Sequence, residues 1–70
     1  MNIDIADEPG AIATIATILA LNSISIKNIG IVHNREAEGG VLRVEFYEEA
    51  SIERAKQILT GKGYTIHSKL

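Results

Sequence analysis

The hydrophobic period of this chain changes from two to the helical value across one short acidic turn. No other feature narrows the possible folds so far. Asn2-Ile3-Asp4-Ile5 alternates polar and apolar residues, as a strand with one buried face does. Asp7-Glu8-Pro9-Gly10 follows, and then Ala11-Ile12-Ala13-Thr14-Ile15-Ala16-Thr17-Ile18-Leu19 spaces its apolar residues as one face of a helix. Pro9 suits a first-turn position, because it gives up no needed donor there. Gly10 permits another backbone or a ligand to approach closely. The first amides of a helix lack intrahelical partners and carry a positive partial charge, which attracts a carboxylate or phosphate. The turn is therefore the leading candidate for holding something small.

The rest of the chain continues in the same grammar. The first strand is expected over Met1 to Ala6. The first helix is expected over Pro9 to Leu21, with Ile12, Ile15, Ala16 and Leu19 as its core stripe and Ile18 beside it. Asn22-Ser23 closes it. A second strand over Ile24 to His33 holds an irregularity: Ile24 and Ile26 fall on even positions, Ile29 and Ile31 on odd ones. A strand has period two, so its apolar face slips by one residue at Lys27-Asn28. A β-bulge is the simplest cause; partial cover of both faces is the alternative. A polar, glycine-rich loop (Asn34 to Gly40) leads to a third strand, Val41 to Tyr47, in which Leu42, Val44 and Phe46 alternate with Arg43 and Glu45. A second helix is expected over Ser51 to Thr60, with Ser51 as N-cap, an inner face of Ile52, Ala55, Ile58 and Leu59, and Gly61 as its stop. Tyr64 to His67 makes a fourth strand.

The order is βαββαβ. With right-handed crossovers it gives one α+β domain over residues 1–70, a ferredoxin-like sandwich of four antiparallel strands with two helices on one face. A core in a chain of 70 residues is small, and such domains commonly need a staple. The chain has no cysteine, which removes disulfides and thiolate metal sites. His33 and His67 stand far apart outside any ligand motif and are expected at exposed strand ends, so no metal is expected. Oligomerisation remains as the means of stabilisation.

The same fold carries unrelated activities, so function has to come from the site. Seven basic against nine acidic residues leave no basic patch for a nucleic acid. Phe46 shares its face with Leu42 and Val44 and reads as core rather than as a base-stacking platform. The first loop has neither the cysteine pair of a metal chaperone nor the arginine of an acylphosphatase. No apolar run is long enough to span a bilayer, and no signal-peptide pattern follows Met1. A cytoplasmic setting, no membrane partner and no catalytic residues are the resulting expectations.

Asp7-Glu8-Pro9-Gly10 ahead of an amphipathic helix, followed by Ile24-Ser25-Ile26-Lys27-Asn28-Ile29, resembles the ACT domain over nearly the whole chain. That family consists of small ligand-binding regulatory modules attached to enzymes of amino-acid metabolism. Within the family, Ile24 to Arg35, Gly40 to Tyr47 and Tyr64 to His67 are most similar to the C-terminal ACT domains of bacterial prephenate dehydrogenases, NAD(P)-dependent enzymes of tyrosine biosynthesis. No nucleotide-binding glycine motif occurs here, so the resemblance implies a regulatory domain without the catalytic one and without a cofactor of its own. It implies a homodimer formed by side-by-side sheet pairing, an L-amino acid effector with tyrosine first, and the catalytic domain of the parent enzyme as partner.

The resemblance places the effector at the dimer seam. The candidate ligand-binding residues are Asp7, Pro9, Gly10, Ala11 and Ile12 from one subunit and Ser25, Asn28 and Ile29 from its neighbour. Amides at Gly10 to Ile12 would take the carboxylate and Asp7 the ammonium. Ser25 or Asn28 would complete the polar ring, and Ile5, Ile12 or Ile29 would carry the effector's side chain. Each has a plainer reading. Asp7 serves equally as a helix N-cap, Gly10 as a close-packing residue, Asn28 as a partner for bulged backbone, and Ser25 as a solvent-face residue. Arg43 and Glu45 read as a cross-strand charge pair. Ligand-responsive members often carry a polar residue in place of Ile5 and an asparagine in place of Ser25. The alternative reading is a dimerisation and assembly module that binds no ligand.

Overall fold

The computed structural model describes residues 1–5, 10–33 and 40–67. The elements run β1 (Asn2–Ile5), α1 (Ala11–Leu21), β2 (Ile26–His33), β3 (Gly40–Phe46), α2 (Glu49–Gly61) and β4 (Ile66–His67). The four strands form one antiparallel sheet in the order β2-β3-β1-β4. The expected α+β sandwich is the fold of this chain.

Register explains the core. Ile3 lies opposite both Leu42 and Ile66, so these side chains share one face of the sheet. Ile3, Leu42 and Val44 are fully buried there, together with Ile15 and Leu19 of α1 and Ala55 and Leu59 of α2. Both helices therefore cover that face. Each fully buried leucine or isoleucine contributes about 1.5–3 kcal/mol by leaving water. The opposite face carries Asn2, Asp4, Arg43, Glu45 and Asn28 beside a buried Val41. On it His67 Nε2 lies 2.8 Å from Asp4 Oδ1, with both side chains part-exposed. His67 is thus paired rather than simply exposed. Arg43 and Glu45 sit two apart on one strand, opposite Asn2, Gly30 and Asn28, and do not face each other as a cross-strand pair.

The irregularity in β2 is a bulge. Ile26 pairs with Phe46 and Asn28 with the adjacent Glu45, which leaves Lys27 as the extra residue. Ile26 and Ile29 consequently both turn to the core despite their odd spacing.

Several boundaries differ from the sequence expectation. Helix α1 begins at Ala11 with Gly10 as N-cap; Pro9, expected in its first turn, and Asp7, expected as a cap or ligand contact, lie outside the described residues. Helix α2 begins at Glu49 with Glu48 as N-cap. Ser51 is its third residue, and its amide bonds to the Glu48 carbonyl at 3.1 Å. Gly61 is the last helical residue rather than the stop, which falls at Lys62-Gly63. Ile12 and Ile52, expected on the inner faces, are 36% and 37% exposed because each sits beyond the edge of the packed cluster.

Candidate functional site

Gly10 sits at the start of α1 with φ 88°, a left-handed conformation that side-chain-bearing residues adopt only at a cost. A Cβ placed there would meet nothing within 4 Å. The glycine is therefore required by its backbone angle and not by tight packing against a strand. Its carbonyl accepts from the Thr14 amide at 2.9 Å, the first bond of the helical ladder. The amides of Ala11, Ile12 and Ala13 precede that bond and belong to the positive end of the helix. Gly10 and Ile12 are exposed and Ala11 is half-buried.

Helix α1 then runs for eleven residues, about 16 Å at the standard rise, before it reaches the second group of candidates. Ser25 lies between α1 and β2 and is exposed. Asn28 is exposed directly after the bulge, and its Oδ1 accepts from the Ile29 amide at 2.9 Å. That bond fixes the amide orientation and leaves Nδ2 as the group pointing to other partners. Ile29 is half-buried against the core. A single chain thus keeps Gly10, Ala11 and Ile12 at one end of α1 and Ser25, Asn28 and Ile29 toward the other. Asp7 and Pro9 lie outside the described residues.

Strand β2 is an edge of the sheet, eight residues long and bonded to β3 alone. Such an edge presents unpaired amides and carbonyls. It also exposes apolar surface: Ile31 is 44% and Val32 37% accessible. Sequence periodicity had no means to separate these two from core residues, because an edge position has the same alternation as a central one. The open side of Gly30 is likewise unoccupied, with nothing within 4 Å of a Cβ built there. Among the described residues no group of three or more His, Asp or Glu side chains gathers as a metal site. No helix among them is long and apolar enough to cross a membrane.

Comparison with known proteins gives two relatives. A prephenate dehydrogenase of Bacillus subtilis (strain 168) is 40% identical over 60 residues, which cover 86% of this chain. The chain spans only 16% of that protein's length. The crystal structure of the ACT domain of prephenate dehydrogenase from Bacillus anthracis superposes with a TM-score of 0.81 at 39% identity, covering 91% of this chain and 93% of that one. No family model matches the chain.

Proposed function

Because this chain belongs to the ACT-domain family, in the branch found in prephenate dehydrogenases, we propose that it is a regulatory domain that binds an L-amino acid and passes feedback control to an attached prephenate dehydrogenase domain. Two copies pair side by side through β2, turning two four-stranded sheets into one of eight. The seam then unites what one chain keeps apart: the start of α1 from one copy and the Ser25–Ile29 stretch of the other. The first-turn amides at Gly10 to Ile12 receive the effector's carboxylate, and Asp7 receives its ammonium. Asn28 donates from Nδ2, since its Oδ1 is already engaged. Ile12 and Ile29 supply apolar surface, which suits tyrosine as the effector.

The observation that carries this reading is the exposed, glycine-capped start of α1, clear of any side chain at Gly10. The regulatory effect is a population shift. A ligand that touches both subunits favours the pairing geometry in which its contacts close, and biases the enzyme only by its differential affinity for the two states.

Calorimetric titration with tyrosine, phenylalanine, serine and a branched-chain amino acid, alongside sedimentation, tests it. Selective, saturable binding to a dimer is expected. Gly10→Asp would place a carboxylate at the anion site and abolish that binding. Gly10→Asn, which tolerates the same backbone angle without the charge, controls for strain. Tyrosine affinity surviving in Gly10→Asp would sink the site assignment. The exposed Ile31 and Val32 on the β2 edge favour one second reading, a ligand-free assembly domain. A dimer that binds none of the four amino acids would select it.

A further inference from the structure

The eleven residues of α1 include no charged side chain, so the helix brings no cation of its own to its C-terminal end. That end carries a negative partial charge and carbonyls without intrahelical partners. Helix α2 supplies the missing cation. Arg54 Nη2 donates to the carbonyl of Asn22, the C-cap of α1, at 2.8 Å and across 32 positions of sequence. Asn22 is held a second time by its own Nδ2, which donates to the Ile18 carbonyl at 2.8 Å. The next residue, Ser23, sits at φ 58°, a left-handed angle that a side-chain-bearing residue adopts only at a cost. The matching turn after α2 places Gly63 there, and among the described residues no side chain bonds to its C-cap carbonyl at Lys62. The strained turn is the clamped one.

That turn leads straight to Ser25. Ile24 lies between them, buried in the core with its amide bonded to the Leu19 carbonyl at 2.9 Å. Ile26 then opens β2 and packs against the core as well. No free link separates Asn22 from Ser25, and Ser25 and Arg54 line the same groove. We infer, on the basis of the seam site proposed above, that Arg54 is a positioning residue for that site. Acting through the Asn22 carbonyl, it fixes the turn that aims Ser25, and the strand entry that leads to Asn28, at the neighbouring subunit. The guanidinium itself touches backbone and not the effector. The bond also ties this half of the site to α2, so effector binding strengthens the hold of α2 on α1 by the same factor that the clamp strengthens binding.

The test is tyrosine titration of the wild-type chain, Arg54→Met, Arg54→Lys and Lys56→Met, with amide NMR of each before ligand is added. Arg54 and Lys56 are both exposed, so each variant is expected to stay folded. Arg54→Met should weaken tyrosine by about fivefold or more, the low end of the usual coupling between sites. In the unliganded chain it should move the Ser23, Ser25 and Asn28 amides and leave Gly10 and Ala11 in place. Arg54→Lys keeps a charged donor and should recover most of the loss. Lys56→Met removes a charge from the same helix without touching Asn22 and should leave affinity unchanged. An equal loss in Lys56→Met would overturn the clamp in favour of long-range charge. Weakened binding in Arg54→Met with the Ser25 and Asn28 amides unmoved would overturn positioning and make Arg54 a direct contact. Unchanged affinity in Arg54→Met would overturn the role of Arg54 and leave the seam site standing, whereas a wild-type chain that binds no tyrosine removes both.

Discussion

The two strand–helix–strand halves of this domain end their helices in the same way and begin them differently. A shift of forty residues sets Ile12, Ile18, Leu19 and Ile26 of the first half on Ile52, Ile58, Leu59 and Ile66 of the second. In both, the helix closes by the same pair of bonds. Ser23 N–H meets the Ala20 carbonyl and Ile24 N–H meets that of Leu19; Gly63 N–H meets the Thr60 carbonyl and Tyr64 N–H meets that of Leu59. This is the Schellman arrangement, with an apolar residue folding back over the last turn in each case. Ile24 and Tyr64 both pack on the shared core. The N-termini diverge. Helix α1 starts from a left-handed glycine, whereas α2 starts from an extended Glu48 and has two more residues. The strands that follow diverge as well, since β2 carries a bulge whereas β4 pairs with β1 in regular register over its described residues. The helix ends hold the core and match. The edges and helix starts face outward, and there the halves are free to differ.

The largest effect should come from the matched core leucines. Leu19→Ala and Leu59→Ala are each expected to cost about 2–5 kcal/mol, as fully buried leucines do. Global stability at this size is only about 4–10 kcal/mol, so urea unfolding of either variant should show a markedly lower midpoint. A cost under about 1 kcal/mol for one alone would break the equivalence of the halves.

A smaller effect separates the two caps. Both C′ residues are left-handed, Ser23 at φ 58° and Gly63 at φ 94°. Gly63→Ala should therefore destabilise by about 1 kcal/mol, from backbone angle alone, because nothing lies within 4 Å of the added methyl. Ser23→Gly should stabilise by about 0.5–1 kcal/mol for the converse reason. Thermal melts of the two variants should move in opposite directions. The Arg54 contact at Asn22 is adjacent, so a null result for Ser23→Gly would sharpen the comparison by showing that the first cap is held from α2.

The smallest stability change is expected from deleting Lys27. Removing the extra residue leaves Ile26 inward, Asn28 outward and Ile29 inward, a regular strand with every face preserved. Stability should change by less than about 1 kcal/mol, while the strand straightens and Ser25 and Asn28 are re-aimed. Tyrosine binding or dimer mass should suffer although the melt does not. A large loss of stability instead would mean that the bulge is a folding requirement and not a feature of the edge.

Much of this was readable along the chain. The change of parity between Ile26 and Ile29 was visible in the sequence, but partial cover of both faces fitted it as well, and the register of β2 on β3 is what assigns it to a bulge at Lys27. The buried sets Ile3, Leu42 and Val44 and Ile15, Leu19, Ala55 and Leu59 followed from alternation and helical spacing. Cap positions were less legible. Ser51 has good N-cap chemistry, yet α2 starts earlier, since Glu49 and Ala50 are acceptable helix residues and no glycine or proline stops them. Gly61 looked like a stop, but Gly63 takes the left-handed position that stops α2.

The sequence alone determined the elements, their order, the faces of strand and helix that turn inward, and the change of parity in β2. These are local consequences of side-chain period and turn chemistry. The tertiary structure decided how far the core reaches. Sheet order made β2 an edge, which left Ile31 and Val32 in water, and the helix placement left Ile12 and Ile52 outside the packed cluster. It also brought Ser23 and Ser25 beside Glu48 and Arg54, residues more than twenty positions away. Periodicity tells a side chain which way to face; only the packing of all six elements determines what it meets there.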